Sequence, residues 1–246
     1  MAPKRAPLLL LPPLLLLQLL IPRARAAANP DPAPCHPDDL RTLLAFAGNL
    51  TSAADAFLWP SSSSSAPGCC AWDGVSCDAG GRMSALRLPA RGLAGPLPSP
   101  VLTALSFLQD LDLSWNTLTG AVAAALTALP GTIHTANLSS NLLHGVFPGV
   151  PLPDHLDASN NSIFGPLAPD LCASALVLRV LDLSTNRLTG ALLSSSSASP
   201  PPYAATLREL SLANNAFTHA ARADVRRMRD REDTVEDWGI GEGIGG

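Results

Sequence analysis

What this chain of 246 residues lacks excludes several classes of function. Charged residues make up only 15% of it, and 20 acidic residues outnumber 16 basic ones, so it has no electrostatic footprint for a nucleic acid. His155 and His134 stand near Asp157 in sequence, but no nucleophile constellation and no phosphate-cradling glycine loop accompany them. No enzymatic activity and no cofactor are therefore expected. Only one stretch is apolar enough to concern a membrane. Residues 1–26 carry Lys4 and Arg5, an apolar run from Leu8 to Ile21 broken by Pro12 and Pro13, and then Ala24-Arg25-Ala26. This is the pattern of a secretory signal rather than of a span, and no later stretch could cross a bilayer. Its removal takes Lys4, Arg5, Arg23 and Arg25, four of the 16 basic residues, and leaves 12 against 20 acidic.

What is present is a periodic skeleton. Leu111-Asp-Leu113-Ser-Trp-Asn116-Thr-Leu118-Thr-Gly120 returns with its asparagine at Asn141, Asn161, Asn186 and Asn215, and a weaker copy has Arg91 there. Subtracting these positions gives intervals of 25, 25, 20, 25 and 29 residues, the period of a leucine-rich-repeat solenoid. The expected fold is an α/β repeat, a short horseshoe of about six coils over residues 80–219. Leu111 and Leu113 stand two apart on a short strand and point into the solenoid, while Asp112 between them points to the concave surface. Leu108 and Leu118 close the coil. Each anchor asparagine is placed to bond backbone groups of adjacent turns, forming a ladder through Asn116, Asn141, Asn161, Asn186 and Asn215. Gly120, Gly145, Gly165 and Gly190 follow four residues later, where a sharp bend is expected.

Residues 27–34 form a proline-rich linker, and residues 35–79 read as a cap for the open end of the stack. Asp38 or Asp39 is expected to cap a helix in which Leu40, Leu43, Leu44 and Ala47 make one apolar stripe ending near Gly48. A serine run, Ser61 to Ser65, reads as a surface loop. Cys35, Cys69, Cys70 and Cys77 lack the paired knuckles of a zinc site, and four cysteines in a secreted cap point to two disulfides. Adjacent Cys69 and Cys70 point to opposite sides if extended and so do not pair with each other. The expected connectivity is Cys35 with Cys69 and Cys70 with Cys77. Trp59 and Trp72 are expected in the core of the cap.

A helix after a cysteine, the run Cys69-Cys70-Ala-Trp72-Asp-Gly74-Val75-Ser-Cys77, and then repeats reading Leu-Asp-Leu-Ser-x-Asn-x-Leu-x-Gly resemble the extracellular part of plant leucine-rich-repeat receptors. The resemblance runs from Cys35 to about Phe217. The wording Cys35-His-Pro-Asp-Asp-Leu40 and Arg87-Leu-Pro-Ala-Arg-Gly-Leu-Ala-Gly-Pro-Leu97 is similar to the phytosulfokine receptor group. That family implies a long horseshoe with an island that helps bind a sulfated peptide hormone, a transmembrane helix and a cytoplasmic kinase in the plasma membrane. The last three are not found in this sequence, so a secreted, apoplastic, shortened ectodomain is expected.

The repeats depart from the pattern in places. Ala136 and Ala158 replace core leucines, Pro153 sits where Leu108 does, and a serine and proline loop at 194–202 accounts for the longest interval. Cys172 has no evident partner; a small buried hydrophobe and a bridge to another chain are equally open readings. After Phe217 the pattern stops, and residues 220–246 read as a charged tail with a glycine-rich end.

The candidate functional surface is the concave face, whose positions lie two, four and six residues before each anchor. Its candidate contacts are Arg87, Asp110, Asp112, Asn137, His155, Asp157, Asp182 and Glu209. They suit a basic or hydroxyl-rich peptide, although such residues also occur as plain solvated positions. Six strands at about 4.8 Å span roughly 24 Å, room for about seven extended residues. Asn49, Asn137 and Asn160 are Asn-x-Ser/Thr acceptors for N-glycans. The partners expected are a protein or peptide ligand or a co-receptor-like repeat protein. A remnant of a receptor gene without a ligand and an inhibitor of a cell-wall hydrolase are the competing readings.

Overall fold

The computed structural model describes residues 34–52, 59, 68–97, 100–167, 177–190 and 207–218. The signal segment, Cys172, the 194–202 loop and the tail from residue 219 lie outside them. The first described element is helix α1, Pro37–Gly48, whose first-turn proline has no N–H to leave unpaired. Its cap differs from expectation. His36 precedes the helix and its Nδ1 accepts from the Asp38 amide at 3.3 Å. Asp39 instead turns inward, 1% exposed, against residues from the first coil.

Strand β1, Thr51–Ser52, follows the helix, and Cys69–Ala71 forms a single 3-10 turn. The cysteines there are therefore not extended. The structure joins Cys35 to Cys69 and Cys70 to Cys77, so the three sulfurs of Cys35, Cys69 and Cys70 that crowd within 4.8 Å are consumed by the two bridges. Trp72 is 7% exposed, and its ring lies 5.1 Å from that of Trp59, whose Nε1 donates to the Asp73 carbonyl at 3.2 Å.

Each coil then contributes two strands. The first of each pair builds one sheet: antiparallel β2 (Val75–Cys77) at its edge, then parallel β3 (Met83–Arg87), β5 (Asp110–Asp112), β7 (Thr135–Asn137), β9 (His155–Asp157), β11 (Val180–Asp182) and β13 (Glu209–Ser211). The second of each pair builds another: β1 with β4 (Leu93–Pro96), β6 (Thr117–Ala121), β8 (Leu142–Val146), β10 (Ser162–Gly165), β12 (Arg187–Gly190) and β14 (Ala216–Phe217). A short helix α2, Val122–Thr127, packs beside this second sheet.

The second sheet corrects the expectation of a simple bend at the recurrent glycines. Gly120 lies within β6 at φ +120°, and a Cβ there would come 2.2 Å from the Leu97 carbonyl oxygen of the preceding coil. The position needs glycine for its backbone angle and for the closeness of the neighbouring turn.

Between the sheets runs one continuous core. Leu86, Leu111, Leu113, Leu118, Leu143, Ile163 and Leu188 are fully buried, as are Ala136 and Ala158 in their places as core leucines. Each buried leucine contributes about 1.5–3 kcal/mol, and neighbouring coils supply the burial. The leucines of the last described coil, Leu210 at 6% and Leu212 at 7%, are the least covered of the row.

The asparagines complete the core's polar accounting. Asn141 donates from Nδ2 to the carbonyls of Leu113 at 3.0 Å, Leu138 at 3.1 Å and Ser139 at 3.1 Å, and its Oδ1 accepts from the Leu118 amide at 3.0 Å. Asn161, Asn186 and Asn215 repeat the arrangement one coil further each time, and Asn116 starts it. The Leu113 carbonyl receives both Asn116 and Asn141, and that of Leu138 receives both Asn141 and Asn161. The rungs are thereby joined. Arg91, which stands before the first rung, reaches outward to Asp73 of the cap.

Cap and coils are tied by one inward-facing ion pair. Asp39 accepts from Arg82 Nε at 3.0 Å, Arg82 Nη2 at 2.9 Å and the Met83 amide at 2.8 Å. This bidentate hydrogen bond raises the Arg82 pKa further, so its charge persists at any ordinary pH. The guanidinium also lies 4.3 Å over the ring of Phe107.

The acidic strand face

The residues singled out from the sequence come together on the solvent face of the first sheet. Register pairs Arg87, Asp112, Asn137, Asp157, Asp182 and Ser211 in one row across β3, β5, β7, β9, β11 and β13. A second row runs through Ala85, Asp110, Thr135, His155, Val180 and Glu209. The residues between, Leu86, Leu111, Ala136, Leu156, Leu181 and Leu210, are buried, as the period of two requires.

The carboxylates of the first row have a local duty that the sequence reading missed. Asp112 Oδ1 accepts from the Ser114 amide at 2.9 Å and the Ser114 hydroxyl at 2.7 Å. Asp157 Oδ1 accepts from the Ser159 amide at 2.9 Å, and Asp182 Oδ1 from the Ser184 amide at 2.8 Å. Asn137 makes the same bonds to Ser139, at 3.1 and 2.7 Å. The signal was the Asp/Asn-x-Ser spacing, because a short polar side chain bonds the backbone two residues on. One oxygen fixes where the strand ends, and the second makes no further hydrogen bond among the described residues.

The cations of this face are less free than the sequence suggests. Arg87 forms a salt bridge with Asp110 on the next strand, so it does not stand apart as a lone positive site. His134, one residue before β7, has Nδ1 3.4 Å from Asp154 Oδ2. His155 is exposed on the second row, and Glu209 is exposed at its far end. Among the described residues the face is thus predominantly anionic, with Asp157 and Asp182 on adjacent strands. Of the glycan acceptors, Asn49 is exposed at the end of α1 and Asn160 is exposed at φ +50°, whereas Asn137 is half-buried in the middle of the first row.

Residues 36–78 match the family model described as a leucine rich repeat N-terminal domain, and residues 104–126 match a leucine rich repeat. The fold is that of a leucine-rich-repeat solenoid. The chain is 37% identical over 189 residues to phytosulfokine receptor 2 of Arabidopsis thaliana, an alignment covering 64% of this chain but only 18% of that receptor. The protein thus spans less than a fifth of the length of that curated relative.

Among solved structures it is similar to the Arabidopsis receptor kinase HAESA in complex with the peptide hormone IDA and the co-receptor SERK1. The TM-score is 0.61 at 26% identity, over 74% of this chain and 30% of that one. It is also similar to the BIR3–SERK2 complex of Arabidopsis thaliana, with a TM-score of 0.59 at 27% identity, over 73% of this chain and 95% of that one. The first of these neighbours is in a complex with a peptide hormone and a co-receptor. No helix among the described residues of the chain is long and apolar enough to cross a membrane.

Proposed function

We propose that this chain is an extracellular protein-interaction module, secreted through its N-terminal signal, whose first sheet holds a short, extended, cationic polypeptide segment. The observation that carries the reading is the first row: three carboxylates, Asp112, Asp157 and Asp182, are each fixed through one oxygen by a serine amide. A carboxylate positioned in this way loses little rotamer entropy when it binds. Asp157 and Asp182, on adjacent strands about 4.8 Å apart, lie well inside a Debye length of about 8 Å and repel each other until a cation sits between them. A guanidinium or ammonium group relieves that repulsion; an anion adds to it.

The same electrostatics separates this chain from a receptor for a sulfated peptide. Its one cation on the first row, Arg87, is engaged by Asp110. Calorimetry against two probes tests the reading: a seven-residue peptide of alternating arginine and serine, and a tyrosine-sulfated pentapeptide. The arginine peptide is expected to bind, more weakly as salt rises, and the sulfated peptide not to bind below the micromolar range. Submicromolar binding of the sulfated peptide that disappears without the sulfates overturns the proposal.

A further inference from the structure

The second sheet has the opposite character to the first. None of its seven strands contains an aspartate or glutamate, and its outward positions include His144 and Arg187. Arg187 is exposed and makes no ion pair among the described residues. Three large apolar side chains share that outward face: Leu142 at 52% exposure and Val146 at 50% on β8, and Phe164 at 46% on β10. Register places Phe164 directly beside Val146 on one side and Arg187 on the other, while His144 lies between Leu142 and Val146 along β8. Half the exposed large hydrophobics among the described residues, three of six, are therefore gathered on two adjacent strands.

The exposed apolar area is on the order of 250 Å², within the few hundred Å² that a soluble protein leaves uncovered and well below the roughly 800 Å² per partner of a free-standing interface. Such a patch suits a segment already tethered nearby rather than a second copy. Thr218, the last described residue, donates its amide to Gly190 at 3.0 Å beside β14, so the chain leaves the described structure along this same sheet. Two strand spacings, about 10 Å, separate β14 from β10. The sequence beyond contains Glu232-Asp-Thr-Val235-Glu236-Asp237-Trp238-Gly-Ile240, which has four acidic residues, no basic one, and Val235, Trp238 and Ile240 to meet an apolar surface. Glu232 is fourteen residues from Thr218, a reach of up to about 46 Å.

We propose that residues 232–240 of this chain dock on the outer face of the second sheet, their apolar side chains over Leu142, Val146 and Phe164 and their carboxylates toward Arg187 and His144. Tethering gives the segment an effective concentration near millimolar, so a contact too weak to hold a free peptide is enough. Docking leaves the first sheet open and shields the apolar patch.

The test uses the full chain with Phe164→p-benzoylphenylalanine, and separately Leu142→p-benzoylphenylalanine, each irradiated and mapped by mass spectrometry. The expected product is a cross-link within one molecule to residues 232–240, and adding Arg187→Glu lowers its yield several-fold. Cross-links to a second copy, cross-links spread over the basic stretch 222–231, or no cross-link at either position overturn the proposal. So does a yield indifferent to Arg187→Glu.

Discussion

Replacing Asn141 by alanine removes one rung of the ladder, and the cost follows from which partners keep another bond. Asn141 is 6% exposed, so water does not compensate. The Leu113 carbonyl retains Asn116, and the Leu138 carbonyl retains Asn161. The Leu118 amide, on a fully buried residue, has Asn141 Oδ1 as its acceptor and would be orphaned. An orphaned buried amide costs about 1–3 kcal/mol, and loss of the two Nδ2 N–H groups, which are shared among three carbonyls, adds about 0.5–1.5 kcal/mol each before relaxation. The estimate is about 3–5 kcal/mol, a large fraction of the stability of a domain of this size. Asn137→Ala is the control, because Asn137 is half-buried and among the described residues its side chain bonds only Ser139 of its own coil; it should cost about 0.5–1 kcal/mol. Urea denaturation followed by circular dichroism measures both. In a solenoid, weakening one rung also uncouples neighbouring coils, so a broadened or split transition is expected for Asn141→Ala. A loss below about 1 kcal/mol, or one equal to that of Asn137→Ala, would refute the argument that the ladder carries the buried backbone.

Asp39→Ala leaves the Arg82 charge and the Met83 amide without their acceptor and should cost about 3–5 kcal/mol in the same assay. Because the Arg82 pKa is raised, the pair's contribution through Arg82 is present at all lower pH and is lost only in strongly alkaline solution. A flat wild-type stability difference between the two proteins from pH 6 to pH 9 checks that sign. Trp115 is 68% exposed at φ +58°, a left-handed angle that Asn160 and Asn214 hold in the equivalent position of other coils. Trp115→Asn should therefore raise stability by about 0.5–1 kcal/mol, and a loss would show that the indole packs. Glycopeptide mass spectrometry of the secreted protein should find Asn49 and Asn160 occupied and Asn137 largely empty; full occupancy at Asn137 would block the first row and count against it as a binding face.

The first sheet was legible because a buried strand with a period of two, followed by an asparagine at a fixed offset, is a redundant signal. Leu111, Leu113 and Asn116 each imply the other two. The second sheet was not read, although Thr117-Leu118-Thr119 alternates as a strand should, because the glycine that follows drew attention to a bend rather than to a strand passing close to its neighbour. His36 as the helix cap was hidden behind two better candidates. Asp39 was freed from capping only by Arg82, which lies 43 residues away and carries no sequence mark of the contact. At the candidate site the row itself was read correctly from register. Its division of labour, one carboxylate oxygen for the turn and one for solvent, needed coordinates. So did the engagement of Arg87 by Asp110.

The central claim is that the charge of the first row, rather than its shape, selects the partner. Asn137 shows within this protein that an asparagine holds the same turn as an aspartate. The triple variant Asp112→Asn, Asp157→Asn, Asp182→Asn, made alongside the parent in a host without N-glycosylation because each substitution creates an Asn-x-Ser acceptor, should thus preserve the fold and remove three negative charges. Calorimetry of that variant with the arginine–serine heptapeptide at physiological salt is predicted to show affinity lower by about three-fold to about 150-fold, at about 0.2–1 kcal/mol for each of three exposed pairs, with an unchanged melting temperature. Unaltered affinity in a folded variant would contradict the account.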